Sequence, residues 1–167
     1  MIVVTGYQGF IGKEFTQTLW HQNLYRVEMS HCFEFLEQFQ DWKKVHLIIH
    51  QGAISSTVEK DINKIHKYNV DFSIKLFEKA IEYNIPIIYA SSASVYGNKK
   101  DASINPLNYY ALSKATVDYW VQDNIDKFRK IQGFRYFNVY GDGEEHKGDQ
   151  ASPVSKFTKQ IKETGKL

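Results

Sequence analysis

Cysteine is nearly missing from this chain: Cys32 is the only one in 167 residues, which excludes an intrachain disulfide and any cysteine-based metal site. No His, Asp and Glu spacing suggests a metal either. An excess of one charge is also missing. Lys and Arg total 21 against 19 Asp and Glu, and a net charge of +2 gives no pointer to nucleic acid or a membrane surface. Long apolar runs are absent; the longest, around Val45–Ile49 and Ile85–Ala90, fall far short of the ~20 residues of a membrane span. With 3 prolines and 10 glycines against 15% aromatics, disorder is excluded as the main state. Ile2–Thr5 reads as a strand rather than as part of a charged leader, and the expectation is a soluble, cytoplasmic protein.

What is present is an alternation of short β-branched runs with longer segments of helical period. Strands are expected at Ile2–Thr5, Leu24–Met29, Val45–Ile49, Ile85–Ser91 and Gly133–Phe137. Helices are expected from Phe10 to about His21, Glu34–Asp41, Glu59–Tyr83, Tyr109–Lys127 and Pro153–Glu163. In the first of these Ile11, Phe15 and Leu19 share a face; in the third Ile62, Ile65, Asn69, Phe72, Leu76 and Ala80 form a stripe. Strands joined by crossover helices predict an α/β fold with a doubly wound parallel sheet, Rossmann-like, in three α/β/α layers.

The first strand runs directly into Thr5-Gly6-Tyr7-Gln8-Gly9-Phe10-Ile11-Gly12. Gly6 suits a tight turn, Gly9 lets a pyrophosphate approach the helix N-terminus, and Gly12 allows close packing of helix on strand. The spacing is GxxGxxG rather than the more usual GxGxxG, but the strand–turn–helix setting supports dinucleotide binding. An acidic residue about 20 positions on marks the adenosine ribose in such folds. Glu28, 16 residues after Gly12, is placed for this role or is an ordinary surface charge, so NAD and NADP both stay open.

Tyr110 and Lys114 are four apart in a helical segment and therefore share a face. A lysine ammonium near a phenol lowers its pKa and equips the tyrosine for acid–base work. Ser91 and Ser92 fall at the carboxyl end of the fourth strand, where open parallel sheets bind ligands. Taken without further context, Lys147 in Glu144-Glu145-His146-Lys147 is a solvated loop charge, and His146 and His50 are polar loop or strand-end residues.

The glycine turn, Tyr89-Ala90-Ser91-Ser92-Ala93-Ser94-Val95-Tyr96-Gly97 and Tyr110-Ala111-Leu112-Ser113-Lys114 resemble the extended short-chain dehydrogenases/reductases, the sugar-nucleotide epimerase and dehydratase group. His50–Thr57, Pro106–Tyr110 and Gly133–Gly141, with Glu145-His146-Lys147-Gly148 after them, are similar to the ADP-heptose 6-epimerase branch of that family. The resemblance implies epimerisation of ADP-D-glycero-D-manno-heptose at C6, a step in lipopolysaccharide core precursor synthesis. Hydride passes to a tightly bound NAD or NADP, a transient ketone reorients, and hydride returns to the opposite face with no net redox change.

By the same resemblance Tyr110 and Lys147 are the two acid/base residues, Ser92 is the catalytic serine, and Lys114 holds the nicotinamide ribose and depresses the Tyr110 pKa. Gly6, Gly9, Phe10, Ile11, Gly12, Glu28, Gly52, Ala53 and Asn69, with Tyr110 and Lys114, would bind the cofactor. Ser92, Asn138, His146 and Lys147 would contact the nucleotide-sugar substrate, and homo-oligomers are common in this superfamily. The expected organisation is a cofactor-binding domain over residues 1–149 with 150–167 beginning a substrate-domain helix, that domain being otherwise missing. Two alternatives stay open: another sugar-nucleotide epimerase or dehydratase, although Ala93-Ser94-Val95 lacks the acidic residues a dehydratase carries after its strand-end serine, and a non-catalytic dinucleotide-binding module.

Overall fold

A computed structural model of the chain describes residues 1–141, 144, 148 and 151–166. They form two compact units, Met1–Arg135 and Tyr136–Leu167. The elements in chain order are β1 Ile2–Thr5, α1 Phe10–Thr18, β2 Leu24–Val27, α2 Cys32–Gln38, β3 Leu47–His50, α3 Ile62–Ile65, α4 Phe72–Glu82, β4 Ile87–Ser92, α5 Tyr109–Asp123, β5 Ile131–Tyr136 and α6 Pro153–Thr164. The sheet runs β2-β1-β3-β4-β5. β1 pairs in parallel with β2 and β3, and β3 with β4, so their carboxyl ends share one edge. The order reverses between β1 and β3, the position at which such sheets open a crevice for ligands.

The two faces of the sheet are unequally covered. Val3, Ile48, Ile87 and Tyr89 look into a large core with Phe35, Trp42, Leu76, Phe77, Val117 and Val121 from α2, α4, α5 and the turn before β3. Ile2, Val4 and Ile49 look the other way, against Phe15 and Leu19 of the first helical segment. The central strands are buried on both faces, hence their continuous Ile and Val content. Burying the fully enclosed Phe77, Leu76, Ile48 and Ile87 contributes roughly 1.5–3 kcal/mol each.

Several expected boundaries move, for physical reasons. α1 ends at Thr18 rather than His21, leaving Trp20 78% exposed. β2 stops at Val27 because Glu28 turns back to cap the 3₁₀ turn Met29–His31, so the following helix starts at Cys32, not Glu34. β3 and β4 begin two residues later than expected, with Val45 and Ile85 buried just ahead of them. The expected single helix over Glu59–Tyr83 is α3 and α4 joined by a π-helical segment, His66–Asp71. The wider turn lets Asn69 and Val70 both be buried. Cys32 is a buried free thiol. Among the described residues no helix is long and apolar enough to cross a membrane.

The tightest packing lies at the glycine turn. A Cβ on Gly12 would stand 2.0 Å from the Gly6 carbonyl oxygen, whereas one on Gly9 would stand 3.2 Å from that atom. Gly12→Ala is therefore expected to destabilise the chain by ~2 kcal/mol or more and Gly9→Ala by less than ~1 kcal/mol, read from urea unfolding. Equal losses in the two variants would contradict this packing.

Candidate active site

Three carboxyl strand ends build the site within the Met1–Arg135 unit. At the first, Gly6 takes φ +66° after Thr5, and a Cβ there would meet the Gly52 Cα at 2.5 Å. The β1 and β3 turns are thus in backbone contact, which only glycines permit. Gly9 caps α1 without a side chain. A cavity of about 130 Å³ opens here, lined by Gly6, Gly9, Glu28, Gly52 and Ala53 together with Val27, Met29, Cys32, Gln51, Tyr68 and Phe72. Its mix of bare backbone and apolar walls suits a dinucleotide's phosphates and adenine. Glu28 is held at its mouth, accepting from the Gln8 backbone N–H at 2.7 Å. Phe10 and Ile11 are half-buried in the first turn of α1, and Gly12 packs beneath the turn.

The third strand end carries the reacting hydroxyls. Alternation along β4 buries Ser91 and leaves Ser92 half-buried. Ser92 Oγ accepts from Ser94 N–H at 3.2 Å and from Ser94 Oγ at 2.8 Å, so its own proton remains for another acceptor. Asn108 caps α5 by accepting from Ala111 N–H at 2.8 Å, which starts the helix at Tyr109 and fixes Tyr110 in its first turn. Lys114 follows one turn later and is 5% exposed; its Nζ donates to the Ala90 carbonyl at 2.7 Å and lies 6.0 Å from the Tyr110 ring centroid.

Electrostatics correct one expectation. Lys114 was to depress the Tyr110 pKa, but burial holds that phenol above its ordinary value while hydrogen bonding with Ser92 pulls it the other way. The larger effect is on the lysine, which burial pushes down to about 8 although the Asp118 charge opposes this. A buried ammonium poised near neutrality is a mark of a functional site.

A polar network that sequence reasoning missed ties the two ends together. Thr5 Oγ1 accepts from Gly52 N–H at 3.1 Å and sits 2.6 Å from His50 Nδ1; His50 Nε2 lies 2.8 Å from Ser73 Oγ, which donates to the Asn69 carbonyl at 2.6 Å. With those donors committed, His50 carries its proton on Nε2 and accepts from Thr5 at Nδ1. Asn69 in turn pairs with both backbone groups of Ile54 and donates to Ser113 Oγ at 3.0 Å, and Ser113 Oγ donates to the Tyr110 carbonyl at 2.7 Å. Asn69, 1% exposed, therefore acts on the cofactor turn and the tyrosine helix through its neighbours. Asn138 lies two residues past β5, exposed, in the Tyr136–Leu167 unit. His146 and Lys147 lie outside the described residues. Two of the missed residues left a readable trace: Asn108 stands at a helix-cap position three residues before Ala111, and Asp118 is one helical turn beyond Lys114.

Burial, reinforced by the Lys114 charge, lowers the His50 pKa from its usual 6.5 to about 3. Between those values an unfolded chain binds a proton that the folded chain refuses, so stability falls as pH falls through that window. From neutrality to about pH 4 the loss is on the order of 3 kcal/mol. Urea unfolding is expected to show this loss in the wild type and a clearly flatter pH dependence in His50→Gln. The same acid slope in both would contradict a neutral, buried His50.

The sequence matches the model of the NAD dependent epimerase/dehydratase family over residues 2–167. It is 34% identical over 197 aligned positions to the ADP-L-glycero-D-manno-heptose-6-epimerase of Alkalilimnicola ehrlichii, with 100% of this chain and 62% of that protein covered. Against the enzyme of the same name from Pseudomonas aeruginosa the identity is 33% over 195 positions, covering 99% and 59%. The crystal structure of the Helicobacter pylori ADP-L-glycero-D-manno-heptose-6-epimerase superposes with a TM-score of 0.79 at 26% identity, covering 99% of this chain and 63% of that one. The chain thus spans about three fifths of the length of these relatives. Because the family match runs over almost the whole sequence, the chain belongs to the NAD dependent epimerase/dehydratase family.

Proposed function

We propose that the chain is the cofactor-binding, catalytic-residue part of a nucleotide-sugar epimerase acting at C6 of ADP-D-glycero-D-manno-heptose. The supporting observation is the meeting of a glycine turn and a Ser92–Tyr110–Lys114 set on one sheet edge, in a chain about one third identical to relatives bearing that enzyme's name. On this reading the protein works in the cytoplasm on a soluble nucleotide sugar, with neither nucleic acid nor a membrane as partner.

Gly6, Gly9, Gly52 and Ala53 would hold the dinucleotide, and Lys114, with one of its three N–H donors on Ala90, keeps two for a ribose hydroxyl. When bound, a nicotinamide dinucleotide supplies an acceptor and donor for the hydride at the sugar carbon. Ser92 orients the sugar oxygen, and Tyr110 Oη is the acid/base on one face, exchanging a proton with that oxygen as it interconverts between alcohol and carbonyl. Lys147 is our candidate for the acid/base on the opposite face, Asn138 and His146 for substrate contacts.

The cofactor in this reading is NAD rather than NADP. Among the described residues no Lys or Arg lines the cavity, and Glu28 there would repel a ribose 2′-phosphate. Calorimetry is expected to give NAD⁺ at least about tenfold tighter binding than NADP⁺, with the gap narrowed in Glu28→Ala. Equal or tighter NADP⁺ binding would overturn the assignment. Single-turnover reduction of bound NAD⁺ by ADP-heptose, followed by nicotinamide fluorescence, tests the chemistry. Tyr110→Phe should slow it on the order of 10²–10⁴-fold. Reduction by a UDP-sugar and not by ADP-heptose would instead favour another sugar-nucleotide epimerase.

A further inference from the structure

An anionic hub lies behind the strand that carries the reacting serine. Asp118 accepts from Tyr89 Oη at 3.0 Å, from Ser91 Oγ at 2.9 Å and from Arg135 Nε at 2.9 Å, and its side chain is 11% exposed. Arg135 also donates from Nη1 to Tyr96 Oη at 2.8 Å. Three elements, β4, α5 and β5, therefore converge on one carboxylate.

Asp118 is one helical turn beyond Lys114 on α5, so the two side chains leave the same face. They are anchored to consecutive residues of β4: Lys114 to the Ala90 carbonyl, Asp118 to the Ser91 hydroxyl. Among the described residues the ammonium has that one neutral acceptor, a costly state unless a counter-charge stands near. A carboxylate directly on Nζ would consume the donors a ligand needs; one turn away it stabilises the charge and leaves them.

We propose that Asp118 is a positioning residue that keeps Lys114 cationic for its ligand while holding the Ser91–Ser92 strand end, with Arg135 setting how much of the Asp118 charge reaches the lysine. The ligand role of Lys114 comes from the proposed function; the charge relation between the residues does not depend on it.

Among the described residues, the other titratable groups on the elements around Lys114 do not supply this charge. Tyr110 on the same helix has its phenol held neutral by burial, His50 on β3 is neutral, and Tyr89 on β4 is pushed upward by burial and the Asp118 charge. Arg135 on β5 is cationic. On the π-helical segment His66 pairs with Asp71 at 3.1 Å, and Lys67 lies over Phe33.

Lysine-selective side-chain NMR of the cofactor-free chain reads the Lys114 titration directly, its signal assigned by absence in Lys114→Met. The wild-type midpoint is expected near 8. Asp118→Asn should lower it by about one pH unit, and Arg135→Gln should raise it by freeing the Asp118 charge. General damage to the fold would move both variants the same way. An unmoved midpoint in Asp118→Asn, or a fall in Arg135→Gln, would overturn the proposal. Should Asp118→Asn fail to fold, Arg135→Gln decides alone, with a midpoint equal to or below wild type overturning it. Failure of the chain to bind NAD⁺ in a separate titration would count against the proposed function and leave the Lys114 titration to decide this inference.

Discussion

A lysine ammonium held out of water is the constraint around which the rest of this molecule is arranged. Moving a charge into a protein interior is unfavourable by several kcal/mol unless polar groups compensate, and Lys114 has one carbonyl at 2.7 Å and one carboxylate a turn away. The surroundings follow from that. β4 ends where its carbonyl and serine can receive α5, α5 begins at a side-chain cap that sets its phase, and the buried histidine on the neighbouring strand stays uncharged.

Stability and function separate along the sheet. The large face, with Phe77, Leu76 and Trp42 packed on Ile48 and Ile87, carries the apolar stabilisation. The carboxyl edge carries polar groups that a folding optimum would omit: Thr5, His50, Asn69, Ser73, Ser113 and Lys114, all buried. Hydrogen bonds through the first five run continuously from Gly52 to the Tyr110 carbonyl, linking the turn that would seat a dinucleotide to the helix that carries the tyrosine. Buried networks of this kind specify geometry more than they add stability.

The sheet and the glycine turn were legible because their signals are local and periodic. Five β-branched runs alternating with helical stripes leave few topologies, and three glycines between a strand and a helix have a narrow range of uses. Tyr110 and Lys114 were legible as a pair because helix geometry fixes their common face. Other features were hidden because they depend on contacts distant in sequence. Glu28 is held by the Gln8 backbone N–H, 20 residues away, and the Thr5–His50 link spans 45. The π-helical segment escaped because Ile65, Asn69 and Phe72 keep a helical spacing whether or not one turn holds an extra residue. The direction of the Tyr110 shift was misread because spacing reports proximity to Lys114 and says nothing of burial.

The central claim is that one ligand spans the edge from the glycine turn to the tyrosine helix. Backbone amide NMR of the chain titrated with NAD⁺ tests it most directly. The account requires saturable shifts, with one common dissociation constant, at Gly9, Glu28 and Gly52 and also at Ser92, Ala111 and Lys114. Shifts confined to the glycine turn, or none, would contradict it.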